Sequence, residues 1–224
     1  MESYINNNNP LGKLASEYFD ALLSENRELA SKLILNAVEA GVDIRDIYMN
    51  VFQPCQYEIG RLWELNKVTI AQEHYFSAAT QLIMAQLYSR IFSMERNGYC
   101  FVAASVADEL HVIGLRMVVD FLEMDGWDTY YLGGNIPVEK ILETVQKQRA
   151  DRLGLSATMS YHVDKVAAVI EKVRSIEEFK SLKIVVGGLP FYINKNLWQQ
   201  TGADGCAQDA KGAVELANGL VVPK

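Results

Sequence analysis

The chain is poor in the residues that staple small extracellular folds. It has three cysteines in 224 residues, Cys55, Cys100 and Cys206. They are odd in number and far apart, which argues against a disulfide frame or a zinc site and for buried free thiols in a reducing compartment. Histidine is equally scarce, so His74, His111 and His162 are the whole supply of imidazole. Positive charge is the minority sign: 21 Lys and Arg against 28 Asp and Glu leave a net charge of −7. With no basic patch interleaved with aromatics, direct DNA binding is not expected. No apolar run is long enough to span a bilayer, and the opening MESYINNNNPLGK has no signal-peptide core. The expectation is a soluble cytoplasmic protein with no membrane contact.

What is present is an ordinary globular composition, 50% hydrophobic, enough for one large domain or two small ones. Residues 1–10, with their Asn run, are expected to be disordered. Apolar residues recur at helical spacing over 11–25 and 27–40, and again over 44–66, where Pro54 predicts a kink. Thr69 followed by Gln72 is a capping box opening the next helix. No strand interrupts this part, so residues 11–96 read as a four-helix bundle.

The period then changes. Short apolar runs at 99–104, 127–133, 152–157 and 183–188, and a last one near 205–207, alternate with helices near 111–124, 137–149, 161–175 and 190–200 and one from about 209. Such alternation means a parallel, doubly wound sheet. Residues 97–224 are therefore expected to form a five-stranded, Rossmann-like domain in flavodoxin-like order, with ligands at the carboxyl ends of the strands. The polar stretch MERNG at 94–98 marks the boundary.

The first strand-to-helix loop, SVADELHVIG, has no glycine before Gly114, so it is poorly built to cradle a pyrophosphate. It offers Asp108, Glu109 and His111 instead. A carboxylate that takes the proton of one ring nitrogen fixes the tautomer of a histidine and raises the basicity of the other nitrogen, which then suits a metal. The plainer alternative is that His111 caps a helix. GLSATMSYH after the third strand brings Ser156, Thr158 and Ser160 to the same edge, and VVGGLPF after the fourth brings Gly187 and Gly188, where a bulky ligand could approach the backbone.

This ordered set, E-x-H-x-x-G, then a serine loop, then G-G, resembles the cobalamin-binding domain shared by methionine synthase, corrinoid methyl carriers and cobalamin-dependent mutases. The resemblance implies that His111 is the lower axial ligand of cobalt and that Glu109 is its hydrogen-bonded partner. It implies that Gly114 lets the displaced nucleotide tail pass and that Ser156, Thr158, Gly187 and Gly188 line its channel. The usual acid is Asp, where this chain has Glu109. The usual S-x-L is here Ser156-Ala157-Thr158.

In the helical part, Trp63 and Glu73-His74 form W-x9-E-H. One unbroken helix would separate them by about 15 Å, but Thr69 starts a new helix between them. A helix hairpin can then bring the ring, the carboxylate and the imidazole to one surface, a set suited to a nucleoside. The alternative is a core Trp63 and a solvated first turn. The motif resembles the cobalamin photoreceptor branch, in which a helical bundle caps the cobalamin domain and these residues contact the adenosyl group. On that resemblance the chain is a non-enzymatic sensor of adenosylcobalamin that signals through a partner or through its own homo-oligomer. The residue after Trp63 is Glu64, where the light-dependent repressors place a histidine for the upper cobalt site. His74 is a substitute that nothing in the sequence demonstrates. About ten residues precede the first helix, too few for the repressors' DNA-binding domain. Two other readings stand beside this one: a methyl carrier of a corrinoid methyltransferase system, loaded with methylcobalamin, and a photoreceptor that also holds a bilin. His162 reads as a surface residue at a helix start, or as a further partner of the Glu109–His111 pair.

Overall fold

The structure, a computed structural model, describes residues 3–6, 8–92 and 95–220. The chain divides into two compact units, Met1–Arg90 and Ile91–Lys224, so the division falls a few residues before the polar MERNG stretch.

The first unit is helical: α1 Gly12–Leu23, α2 Arg27–Glu39, α3 Ile44–Ile47, α4 Gln53–Glu64 and α5 Ile70–Leu87. A π-helical stretch, Tyr48–Phe52, joins α3 to α4, so the helix expected over 44–66 is one rod with a widened turn. Pro54 explains the widening. It has no N–H to donate, and its ring would strike the carbonyl four residues back, at Asn50; a π turn there relieves both. The core holds Tyr18, Phe52 and Phe76 with Ile34 and Ile83, and the Tyr18 ring meets those of Phe52 and Phe76 at 5.5 and 6.1 Å. Each such side chain contributes about 1.5–3 kcal/mol through burial. Residues expected to be loose at the N-terminus are tied to this unit: the Tyr4 N–H donates to Glu58 (3.1 Å) and the Asn9 amide to Asn50 Oδ1 (2.7 Å).

The second unit is the expected β–α alternation: β1 Cys100–Val106, α6 Ile113–Met124, β2 Asp128–Ile136, α7 Val138–Gln148, β3 Arg152–Ser156, α8 Val163–Arg174, β4 Lys183–Gly187, α9 Leu189–Ile193, α10 Leu197–Gln200, β5 Gly205–Ala207 and α11 Ala210–Gly219. All pairings are parallel and the strand order is β2-β1-β3-β4-β5, the flavodoxin-like order. The single helix expected over 190–200 is two short ones. Asn194 takes an extended conformation, and its side chain accepts the Asn196 N–H (3.2 Å), a local bond that competes with the helical ladder. A 3-10 turn, Ser160–His162, precedes α8.

Alternation along the strands sorts the two sheet faces. Val102, Ala104, Val106, Leu153, Leu155, Ile184 and Val186 enter the main core with Val166, Ile170, Ile141 and Val145 from α8 and α7. The intervening residues, among them Ala103, Ser105, Gly154, Ser156 and Gly187, therefore face the other side, where α6 packs on β1 and β2, and α11 on β4, β5 and α6. The loops after β1, β3 and β4 meet at the carboxyl edge.

The Thr69 hydroxyl accepts the Gln72 N–H at 3.2 Å while the Gln72 side chain accepts the Thr69 N–H at 2.9 Å, completing the box expected from sequence. Thr69→Ala is expected to lower stability in urea denaturation by about 1 kcal/mol, and Thr69→Asp to recover most of the loss.

Candidate functional site

The carboxyl edge of the sheet is organised around one carboxylate. Glu109 is 0% exposed. Its Oε1 accepts the His111 backbone N–H (2.9 Å) and faces His111 Nδ1 at 2.6 Å. Its Oε2 accepts the Thr158 N–H (2.6 Å) and the Met159 N–H (3.3 Å), and lies 3.0 Å from His162 Nδ1. A buried charge is tolerable only when its lone pairs are filled in this way. Burial alone would raise its pKa. The donors from the His111 ring and backbone, the His162 ring and the Thr158 backbone outweigh burial and hold the carboxyl well below the usual carboxylate range.

His111 is not a helix cap. It lies in the loop before α6, whose N-cap is Val112 with no side-chain cap bond. His111 Nδ1 faces Glu109, and the side chain is 57% exposed. Exposed apolar side chains share this edge: Leu110 and Tyr161 on the loops after β1 and β3, and Leu189, Tyr192 and Ile193 on the short α9 after β4. A large, partly apolar ligand would cover them.

The loop that carries Glu109 is held from β2. The Asn135 N–H donates to the Glu109 carbonyl (2.9 Å), and Asn135 Oδ1 accepts the Asp108 N–H (2.8 Å). Both Asp108 and Asn135 sit in the left-handed region, at φ 64° and 57°, where Asn and Asp are best tolerated. Next to them, a Cβ on Gly134 would lie 2.7 Å from the Glu109 carbonyl oxygen and 2.9 Å from Val112. Lys165 of α8 adds an ion pair to Asp108 and a bond to the Ala107 carbonyl.

The residues expected from sequence have the following surroundings. Ser156 is buried at the end of β3, level with Gly187 of β4. Thr158 acts through its backbone N–H, on Glu109. Gly188 does not leave open space: at φ 112°, a Cβ there would be 2.0 Å from the Ala157 carbonyl oxygen, so its face is filled by the β3 loop. Gly114, by contrast, has nothing within 4 Å of a built Cβ. His162 is no surface residue. Its side chain is 4% exposed and bonds Glu109; the one signal for it in the sequence is a histidine in a loop already placed at the ligand edge. Among the described residues no group of three or more His, Cys, Asp or Glu is arranged to hold a metal ion. A metal that arrives inside a macrocycle needs just one protein donor.

In the helical unit, Trp63 is 43% exposed, not core. It borders an open cleft of about 520 Å³ at the α4–α5 turn, lined also by Lys67, Val68 and Ile70. Glu73 Oε2 lies 2.5 Å from His74 Nδ1. Glu73 Oε1 takes the Ser77 hydroxyl (2.8 Å), which also lies 3.0 Å from Gln56 Oε1. The Gln56 amide donates to Thr80 (2.9 Å), whose hydroxyl meets that of Tyr18 at 2.8 Å. Gln56 and Trp63 are two turns apart on one face of α4, so Trp63 and the Glu73–His74 pair lie on adjoining faces of the α4–α5 hairpin.

Because the folded carboxyl of Glu109 lies below its unfolded value of about 4.3, its contribution to stability is present above that pH and is lost as pH falls toward the folded value. Glu109→Gln is expected to cost about 3 kcal/mol at pH 7. In urea titrations the gap to wild type should narrow steadily below about pH 4.3.

Residues 99–217 match the family model described as the B12 binding domain, and residues 14–88 match a second model of the same description. A corrinoid protein of Desulfitobacterium hafniense is 25% identical over 213 residues, covering 93% of this chain and 97% of that protein. Dimethylamine corrinoid protein 3 of Methanosarcina acetivorans is 27% identical over 219 residues, covering 93% and 97%. The monomethylamine corrinoid protein of Methanosarcina barkeri superposes with a TM-score of 0.82 at 21% identity, over 94% of this chain and 100% of that one, a likeness of fold. None of these three is named as a photoreceptor, the branch expected from W-x9-E-H. No helix among the described residues is long and apolar enough to cross a membrane. By the match over more than half its length, the chain belongs to the B12-binding domain family.

Proposed function

We propose that the chain is a corrinoid methyl carrier of a methyltransferase system, with His111 Nε2 as the lower axial donor to cobalt. The observation that carries the reading is the Glu109–His111 pair at the carboxyl edge: Nδ1 fixed at 2.6 Å by a buried carboxylate, and a ring more than half exposed. The relatives of nearly the same length are named as corrinoid proteins, one of them for dimethylamine.

The residues fit such a group. A corrin-held cobalt asks for one neutral imidazole whose tautomer is set by a carboxylate, and Glu109 supplies that. The exposed apolar side chains of the edge suit the rim of a macrocycle, and open space at Gly114 suits a chain leaving it. When bound, the corrinoid supplies a metal centre that accepts and donates a methyl group. The chain's own residues hold it. Glu109 keeps His111 in one tautomer, while His162 and the backbone N–H groups of Thr158 and Met159 keep Glu109 charged and still. The partners of a carrier are a protein that loads the methyl group and one that removes it. Methylcobalamin is accordingly the native form proposed, in place of adenosylcobalamin.

A second reading keeps one observation. The exposed Trp63 and the hydrogen-bonded Glu73–His74 pair remain a set that suits a nucleoside, and an adenosylcobalamin sensor would use them.

Equilibrium binding separates the two. The carrier is expected to bind methylcobalamin at least as tightly as adenosylcobalamin and to show no change of oligomer size under green light. His111→Ala is expected to lose at least tenfold in affinity for both. A strong preference for adenosylcobalamin with a light-driven change in assembly would favour the sensor. Undiminished affinity in His111→Ala would sink both.

A further inference from the structure

Among the described residues, five that are not glycine take a positive φ: Glu25, Asn66, Asp108, Asn135 and Arg149. Three have an ordinary reason. Glu25, Asn66 and Arg149 stand at or one residue past the C-termini of α1, α4 and α7, where a left-handed residue is a usual way to end a helix. Asp108 and Asn135 end no helix. Asp108 follows β1, and Asn135 lies inside β2. The two are bonded to each other, the Asp108 N–H donating to Asn135 Oδ1 at 2.8 Å. A conformation that costs free energy, held at two bonded positions away from any helix end, points to a use for both.

The pairing of β2 with β1 shows how Asn135 comes to be there. Ala103 is level with Tyr131, but Ala104 is level with Gly133 and Val106 with Ile136. β2 thus carries an extra residue at each of two steps, and Gly133 takes φ 82° between them. Bulges of this kind bend a strand and re-aim what it carries, and they gather beside functional sites. Here they bring the end of β2 against both flanks of His111. On one flank, the Asn135 N–H donates to the Glu109 carbonyl (2.9 Å) and Asn135 Oδ1 holds Asp108. On the other, the Tyr131 hydroxyl donates to the Val112 carbonyl (3.4 Å). The loop is closed from the far side by Lys165 of α8, which holds the Ala107 carbonyl and the Asp108 carboxylate.

We infer, on the corrinoid reading above, that Asn135 is a positioning residue for the cobalt donor: its side-chain oxygen and backbone N–H fix the Asp108–Glu109 backbone, and with it the place of the His111 ring. A metal–nitrogen bond is short and directional, so a donor on a loop that must first be ordered binds less tightly than one already in place. Glu109 and Asn135 then have separate duties. Glu109 sets the tautomer and turn of the ring. Asn135 sets the backbone from which both side chains spring, and the Glu109–His111 bond can persist in a loop that shifts as a whole.

A double-mutant cycle on cobalamin affinity separates positioning from general support of the fold. Asn135→Gly keeps the left-handed backbone accessible and removes the side-chain oxygen. With His111 present, it is expected to lose about fivefold in affinity, as for one lost hydrogen bond. In a His111→Ala background it is expected to lose nothing further, because the metal bond it positions is already gone. Asn135→Asp retains an acceptor and tolerates the left-handed region, and is expected to bind as wild type does. Equal losses from Asn135→Gly in both backgrounds, undiminished affinity in that variant, or a loss as large in Asn135→Asp would each overturn the assignment of Asn135 and leave the carrier reading standing. Equal affinity in the wild type and His111→Ala would remove the carrier reading and the role of Asn135 together.

Discussion

The carboxyl edge of the sheet depends on a single buried charge. A carboxylate at 0% exposure is stable only if hydrogen bonds replace the water it has lost. Glu109 collects them from three places: the ring and backbone of His111, two successive N–H groups of the β3 loop, and the ring of His162 at the start of α8. Each is a constraint on geometry as much as a source of energy. Together they fix the loop after β1 to the loop after β3, and they hold His111 Nδ1 against the carboxylate.

That arrangement needs close backbone approach, and two glycines provide it. Gly134 lets β2 pass under the Glu109 carbonyl, and Gly188 lets the β4 loop lie against the Ala157 carbonyl. Neither position is free space for a ligand. Asn135, in the left-handed region, ties the first of these approaches to the Asp108 and Glu109 backbone. The edge is thus rigid in its loops, while the row from Ser105 to Ala207 beneath it is made of small side chains.

Much of the fold was legible in the sequence because periodicity and caps are local. The strand and helix alternation, the Thr69 box and the switch from helix to β–α units follow from spacing alone. The split of the helix over 190–200 was not, since an Asn side chain bonding to backbone two residues on competes with a pattern that is apolar enough to continue. At the site, the Glu109–His111 pair was legible because both members lie within one loop. His162 was legible only as an alternative to a surface role, because its partner is 53 residues away and the fold brings them together. The sensor reading finds no support among the named relatives. Trp63, Glu73 and His74 say what a surface can bind, and a motif of three residues does not identify which member of a family carries it.

The central claim is that the imidazole of His111 is the lower donor to cobalt, held by Glu109. The electron paramagnetic resonance spectrum of the protein loaded with cobalamin and reduced to the Co(II) state reads it directly, because the axial nitrogen splits the cobalt lines. In protein labelled with 15N histidine, the account predicts that the three-line splitting of 14N becomes the two-line splitting of 15N, and that His111→Ala abolishes the change. A splitting that stays three-line in the labelled protein would show the cofactor's own base on the metal and would contradict the account.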